Sequence, residues 1–345
     1  MNHEQYMSRC LELALKGAGT VAPNPMVGAV LVYDDRIIGE GWHQQYGEAH
    51  AEVNCIASVK DEDQSLIASS VMYVSLEPCA HFGKTPPCAD LIVKHKIPTV
   101  VIGCRDSYKE VAGKGIEKLK ANGVDVTVGV SEQECKELNR RFFTFHELQR
   151  PYIILKWAQS ADHKMGGTGE RVLISNDYSN RLVHQWRSEE AAILVGTNTA
   201  MKDNPSLTTR LYPGRSPLRL VIDKQLKLPA SLQLLDGSQP TVVFNQLKDE
   251  EGIVGYKKIN EDDFIAGMLK ALHEMKIQSV LVEGGSQLLQ SFITANCWDE
   301  ARVITNTGLK IAEGTAVPLL TNAEKVKEEQ LFSDTIIYYR NSKKV

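Results

Sequence analysis

At 345 residues the chain exceeds what one hydrophobic core commonly organises, and with 43% hydrophobic and 24% charged residues it is not a disordered chain, so two domains are expected. A formal net charge of −4 gives no global attraction to nucleic acid or an anionic membrane surface, which favours a small-molecule substrate. No run reaches the roughly 18 apolar residues that span a bilayer, the N-terminus lacks a signal-peptide pattern, and seven thinly spread cysteines do not form a disulfide framework, so a cytoplasmic protein without membrane or nucleic-acid partners is expected.

Residues 4–16 place Tyr6, Cys10, Leu13 and Ala14 at helical spacing before Gly17, Gly19, Pro23 and Pro25 end the pattern. Two β-rich runs, 27–33 and 37–42, joined by Asp34-Asp35-Arg36, predict a hairpin. A helix over 50–59 carries His50 in its first turn. It is followed by a strand at 71–76, a Pro-, Gly- and His-rich loop, a helix at 88–95, a strand at 99–103, a helix near 115–121 and a strand at 124–128. One long helix is expected from 131 to about 148, ending before Pro151, where a new β-run (152–157) starts. The boundary therefore falls near 147–151, giving domains 1–147 and 148–345. The second half repeats the alternation, with strands at 191–195, 218–223, 241–244, 279–283, 300–304 and 334–340 and helices near 177–188, 261–275 and 286–294. Both halves read as α/β, helices covering a central sheet.

The strongest chemical signal is His50-Ala51-Glu52 followed by Pro78-Cys79 and Cys88: one imidazole, two thiols and a nearby carboxyl. Three soft ligands with an open fourth position make a catalytic zinc site, and Glu52 can then move a proton from water to a ring nitrogen and to a departing amine. That is hydrolytic deamination. The pattern matches the zinc-deaminase signature H-x-E…P-C-x-x-C except that eight residues, Ala80 to Pro87, separate the cysteines. Cys10, Cys55, Cys104, Cys135 and Cys297 are assigned to packing or surface, and His95, His146, His184 and His273 to helix surfaces, because none has a partner at ligand spacing. Two other readings remain: a deaminase of RNA bases, which the long spacer and the acidic charge balance disfavour, and a non-catalytic zinc module closed by His81.

The spacer Leu76-Glu77-Pro78-Cys79-Ala80-His81-Phe82-Gly83-Lys84-Thr85-Pro86-Pro87-Cys88-Ala89 resembles the zinc loop of the bifunctional riboflavin-biosynthesis deaminase/reductase family. Asn24-Pro25-Met26-Val27-Gly28, Gly47-Glu48-Ala49-His50 and Val111-Ala112-Gly113-Lys114-Gly115 resemble its other deaminase blocks. Lys156-Trp157-Ala158-Gln159-Ser160, Asp203-Asn204-Pro205-Ser206-Leu207-Thr208 and Val282-Glu283-Gly284-Gly285-Ser286 resemble its reductase half, so the likeness covers nearly the whole chain. It implies a cytidine-deaminase-like N-terminal domain and a dihydrofolate-reductase-like C-terminal domain. The first deaminates a 2,5-diamino-6-ribosylamino-pyrimidinone 5′-phosphate with Zn2+; the second uses NADPH to reduce the ribosyl side chain to ribityl. It implies a homo-oligomer, dimer or tetramer.

By the same resemblance, zinc ligation falls on His50, Cys79 and Cys88, proton transfer on Glu52, and substrate contacts on Asn24, His43 and Lys84. In the reductase half it places substrate contacts on Lys156, Ser175, Arg187, Asp203, Leu207, Arg210 and Glu283. Arg187 and Arg210 suit a phosphate, and Asp203 and Glu283 the hydroxyls of an opened sugar. Cofactor contacts fall on Ala158, Ser160, Gly196, Thr199, Gly284, Gly285 and Ser286, the last three forming a strand–glycine–helix turn suited to phosphate. The chain departs from the family pattern at His163 and Asn198, where glycine is usual, at Glu313-Gly314, where a Gly-Gly pair is usual, and at Arg105-Asp106-Ser107-Tyr108, where Pro-Asn-Pro follows the Asp. A side chain replacing glycine at His163 or Asn198 is expected to crowd a close backbone approach, which keeps a further reading open in which only the deaminase is active and the reductase half is degenerate.

Overall fold

The structure, a computed structural model, describes residues 2–82, 86–107, 112–168 and 172–343. Chain contacts divide it into Met1–Gln149 and Arg150–Val345.

The first unit starts with α1 (His3–Leu15), capped by Asn2, whose side chain accepts from Gln5 N–H. Strands β1 (Gly28–Tyr33) and β2 (Arg36–Trp42) form a hairpin in which Asp34 and Asp35 both take positive φ, as a two-residue type I′ turn requires. Then come α2 (Ala51–Ala57), a 3-10 helix (Asp61–Ser69), β3 (Val71–Leu76), α3 (Cys88–Lys94), β4 (Thr99–Cys104), α4 (Lys114–Ala121) and β5 (Asp125–Val128). The sheet order is β2-β1-β3-β4-β5, with β3, β4 and β5 mutually parallel.

Strand alternation sorts the core. Ala29, Leu31, Met72, Val74, Val100 and Ile102 face Ala51, Cys55, Ile56, Ala89, Ile92, Ile116 and Leu119 from α2, α3 and α4. Val30, Val32, Tyr73 and Val101 point the other way, to Met7, Cys10, Leu13, Phe142 and Phe143. Helix α2 lies so close to β2 that a side chain at Gly41 would meet the Cys55 nitrogen at 2.2 Å, which fixes the height of His50 above the sheet.

The long helix expected over 131–148 is two helices, α5 (Glu132–Leu138) and α6 (Arg140–Leu148), broken at Asn139. The buried Asn139 amide accepts from Met26 N–H and donates to Met26 C=O, both at 2.8 Å. A polar side chain holding a distant backbone in this way competes with uninterrupted helix.

The second unit runs β6 (Tyr152–Ser160), β7 (Lys164–Gly167), α7 (Asp177–Glu189), β8 (Ala192–Gly196), α8 (Thr197–Asp203), β9 (Leu218–Ile222), a 3-10 turn (Gln233–Leu235), β10 (Thr241–Asn245), β11 (Val254–Lys258) and α9 (Phe264–Glu274). It continues through β12 (Ser279–Val282), α10 (Ser286–Thr294), β13 (Glu300–Asn306), β14 (Gly314–Ala316), β15 (Ala323–Leu331) and β16 (Asp334–Asn341). Nine strands form one sheet in the order β11-β10-β9-β8-β12-β6-β13-β16-β15, parallel through β13 and then antiparallel. Strands β8 and β12, buried on both faces, are the continuous apolar runs of the sequence. Strands β7, β11, β14 and β15 and helix α8 were not expected: β15 is an exposed, charged edge strand that needs no apolar pattern.

Candidate functional site

Three elements of the first unit converge at the carboxyl end of β3. His50 is the N-cap of α2, Cys79 follows β3, and Cys88 is the first residue of α3. The expectation of His50 in the first turn is thus shifted by one position, which leaves its ring free of the helix. His50 Nδ1 lies 3.4 Å from Cys88 Sγ and 3.6 Å from Cys79 Sγ, and all three donor atoms fall within 4.8 Å of one another. A tetrahedral zinc ion with ordinary Zn–N and Zn–S bonds separates N from S by about 3.6 Å, so the donor set fits that ion. His81 is not in this group among the described residues.

The Cys88 thiol, Cys88 N–H and the His50 ring hold the Cys79 thiol down at about 4, while Cys88 is raised by sharing its proton with Cys79. The pair therefore carries a thiolate, the form that binds metal. Glu52, only 3% exposed, stands beside Cys88; burial, then the Cys79 charge, pushes its carboxyl up to about 7. A carboxyl at that level can both take and give a proton near neutrality.

His43 packs edge-on to His50 with ring centroids 5.4 Å apart. Its Nδ1 donates to Ala49 C=O (3.0 Å), which leaves Nε2 to accept from the Asn24 amide at 3.0 Å. The structure therefore brings Asn24, His43, His50, Glu52, Cys79 and Cys88 together. Lys84 lies outside the described residues.

In the second unit Glu283 follows β12, Lys156 lies on β6 and Arg187 on α7. Arg187 grips Glu283 with two bonds of 2.8 Å, and Lys156 Nζ is 3.6 Å away. Burial, which opposes ionisation, is overcome by Arg187 and then Lys156, and the Glu283 carboxyl is held at about 2. Burial pulls the Lys156 amine below its ordinary range despite Glu283. Arg187 is not a solvated helix-face residue: its fork is spent on Glu283, and Nη1 also donates to Thr208 C=O at 3.2 Å.

His184, expected on a helix surface, is 4% exposed. Its Nδ1 accepts from Arg210 N–H (3.0 Å) and, more weakly, from Leu211 N–H (3.5 Å), which requires the neutral ring. Burial, then Arg187 and Arg210, lowers it to about 4. The loop after α8 is thus tied to α7 at Thr208, Arg210 and Leu211. Arg210 Nη1 reaches Ser206 Oγ at 3.1 Å, and Leu207, with φ 54°, buries its side chain in the core, leaving its backbone for any ligand. No bond joins Ser175 or Asp203 to this cluster among the described residues; Ser175 C=O accepts from Asn180 ahead of the Asn176 cap of α7.

Helices α8 and α10 start side by side at the carboxyl ends of the paired strands β8 and β12. Gly196 caps α8, and Gly285 caps α10. A Cβ at Gly285 would meet Thr199 Oγ1 at 3.0 Å, and one at Gly196 would meet Leu288 at 3.7 Å. Helix α10 opens at Ser286 on N–H groups that have no preceding helical carbonyl, a start suited to a phosphate. Ala158 and Ser160 lie on neighbouring β6, where the Ser160 hydroxyl is engaged with Asp162 at 2.6 Å and with Lys164 N–H.

Of the departures, His163 keeps the left-handed backbone (φ 59°) that glycine would favour. Asn198 sits inside α8 with its amide 3.4 Å from Gln287 of α10. In Glu313-Gly314 the second position is the one needing glycine: a Cβ would lie 2.0 Å from Gly166 C=O. Buried residues beside the site whose bonds to backbone sequence reasoning missed are His184 and Asn139.

Residues 1–104 match the cytidine and deoxycytidylate deaminase zinc-binding region, and residues 151–309 match the RibD C-terminal domain. A riboflavin biosynthesis protein RibD from Aquifex aeolicus is 36% identical, with 98% of each chain covered. One from Bacillus amyloliquefaciens is 42% identical over 86% of this chain and 82% of its own. The crystal structure of a diaminohydroxyphosphoribosylaminopyrimidine deaminase/5-amino-6-(5-phosphoribosylamino)uracil reductase from Thermotoga maritima superposes with a TM-score of 0.90 at 36% identity, covering 98% of each chain. The units accordingly have a cytidine-deaminase-like and a dihydrofolate-reductase-like fold.

Proposed function

The chain belongs to the RibD family, and from that premise we infer that one polypeptide carries out two consecutive steps of riboflavin biosynthesis, with residues 1–147 as the deaminase and 148–345 as the reductase. The observation that carries the first activity is the buried Glu52 carboxyl beside the His50, Cys79 and Cys88 donors. His50, Cys79 and Cys88 would hold Zn2+, which when bound would make water a nucleophile at neutral pH. Glu52 is placed to take a proton from water as its oxygen adds to the amino-bearing ring carbon and to deliver it to the adjacent ring nitrogen. It would then move the proton of the added hydroxyl to the exocyclic amine, so that C–N breaks as C=O forms and ammonia leaves. Asn24 presents a ring-reading amide, fixed by His43, and Lys84 supplies a cation for the ribosyl phosphate.

In the second unit NADPH supplies a hydride when bound. The N–H groups at Ser286, reached past Gly284 and Gly285, hold its phosphates, with Gly196, Thr199, Ala158 and Ser160 lining the same edge. Lys156, 3.6 Å from the Glu283 carboxylate that Arg187 also grips, contacts the sugar being reduced, and Arg210 the phosphate, with Ser175, Asp203 and the Leu207 backbone beside them. The substrate is a small molecule, and none of the described helices is long and apolar enough to cross a membrane. The protein works in the cytoplasm as a homo-oligomer, a dimer or tetramer.

The test is ammonia release from the diaminopyrimidine ribosyl phosphate by zinc-loaded protein, with nicotinamide absorbance followed alongside. Wild type releases ammonia and consumes NADPH. Glu52→Gln retains zinc and NADPH consumption from the deaminated substrate but loses about 10²–10⁴ in deamination rate; a variant that loses zinc instead defeats the proton-transfer role.

A further inference from the structure

We propose that Glu77 is a positioning residue of the deaminase centre: its carboxylate clamps Asp106, Gly113 and the first turn of α4 to the strand end that presents Cys79. Glu77 is the first residue after β3, 4% exposed, and its own N–H donates to Cys104 C=O at 3.0 Å, so its backbone is registered to the end of β4. Its side chain faces backbone donors. Oε2 accepts from Asp106 N–H (3.3 Å) and Gly113 N–H (3.1 Å); Oε1 accepts from Gly115 N–H (3.0 Å) and, at a weaker 3.4 Å, Ile116 N–H.

One oxygen thus ties Asp106 to Gly113, and the other binds the first turn of α4. A carboxylate is suited to this, because it offers about four lone-pair sites and no donor, whereas an amide places its NH2 against other N–H groups. The same spot is closed from the opposite side. A Cβ at Gly115 would lie 1.9 Å from Pro78 C=O, so α4 abuts the peptide between Glu77 and Cys79. Gly113, with φ 81°, makes the turn that aims these N–H groups inward.

Cys79 is two residues downstream of this clamp, and its Sγ in turn accepts from Cys88 N–H at 3.3 Å. Asp106, Gly113, α4 and the ligand are therefore one mechanical unit with Glu77 at its junction. Losing the clamp frees Cys79 from the geometry that His50 and Cys88 require. Partners that orient a metal ligand are commonly worth about 10–100-fold in metal affinity.

The inference rests on the zinc-deaminase reading, and the experiment separates the two. Full-length zinc-loaded wild type, Glu77→Gln and Glu77→Asp are challenged with a colorimetric chelator at a temperature where circular dichroism shows all three folded, and reductase turnover of each is recorded as an internal control. Wild type that holds no stoichiometric zinc defeats the metal reading itself. With wild type loaded, Glu77→Gln is expected to release zinc about 10–100-fold faster with reductase turnover unchanged. Glu77→Asp, which keeps the charge but is one methylene short, is expected to fall between, and it decides the matter if Glu77→Gln does not fold. Zinc release within twofold of wild type in the folded variants, even with a lowered melting temperature, shows a merely structural carboxylate and overturns the proposal.

Discussion

Glu283→Gln changes charge and little else, and its consequence can be worked from two directions. The carboxylate it removes is shared by Arg187 at 2.8 Å and Lys156 at 3.6 Å, with side-chain exposures of 9%, 12% and 13% for the three residues. Removing one partner of such a buried pair costs about 3–5 kcal/mol, because the remaining charge has no compensation. The second route is the carboxyl's own titration. Held at about 2 in the folded chain against an ordinary 4.5, it contributes about 3 kcal/mol at neutral pH. Because folding lowers this pKa, the contribution is fully present above pH 4.5 and is lost as pH falls towards 2. Urea unfolding followed by tryptophan fluorescence reads mainly the second unit, which holds Trp157, Trp186 and Trp298, while Trp42 lies in the first. The stability gap between wild type and variant should be about 3–5 kcal/mol at pH 7 and about 1 kcal/mol smaller at pH 4, with ammonia release unaffected. Equal stability at pH 7, or a gap that stays constant from pH 7 to pH 3, would refute the pairing as the source of the effect.

Cys88→Ser should abolish stoichiometric zinc by elemental analysis and remove ammonia release while NADPH consumption from the deaminated substrate persists; parallel loss of both activities would contradict two independent centres. His184→Leu leaves the N–H groups of Arg210 and Leu211 without their acceptor, so a cost of about 1–3 kcal/mol and a KM rise larger than the kcat loss are expected in steady-state reductase kinetics. The His184 ring, lowered from 6.5 to about 4, removes stability as pH falls through that interval, so the wild type should show acid destabilisation between pH 6.5 and 4 that His184→Leu lacks in urea titrations. Asn139→Ala removes both bonds to Met26 and should raise the deaminase KM by loosening the segment that carries Asn24; an unchanged KM would separate Asn139 from the site.

What the sequence discloses and what it hides divide by partner type. Zinc ligation is legible because it needs particular side chains in a particular order, and His50, Cys79 and Cys88 satisfy that demand whatever the intervening loop does. The hairpin at Asp34-Asp35 is legible for the same reason: both positions need positive φ, and Asp tolerates it. Glu77, His184 and Asn139 have main-chain partners, and nearly every residue has a main-chain N–H and C=O, so no second letter marks the bond. His184 shows the consequence. The apolar spacing on α7 points inward through Val183 and Trp186, which leaves the adjacent His184 reading as surface, yet the loop from Thr208 to Leu211 covers it and supplies the donors. Asn139 interrupts a helical pattern that continues on both sides, and only the contact with Met26, 113 residues away, explains why the helix breaks. Edge strand β15 is hidden for a different reason: it is largely exposed, and its side-chain contacts with β16 are polar, Tyr338 Oη donating to Glu329 Oε2 at 2.9 Å and Thr335 Oγ1 to Gln330 Oε1 at 2.7 Å, so no apolar alternation marks it. A backbone clamp is therefore recognised only once the fold shows which polar residue is buried, as with Glu77 two positions before Cys79 and His184 three before Arg187.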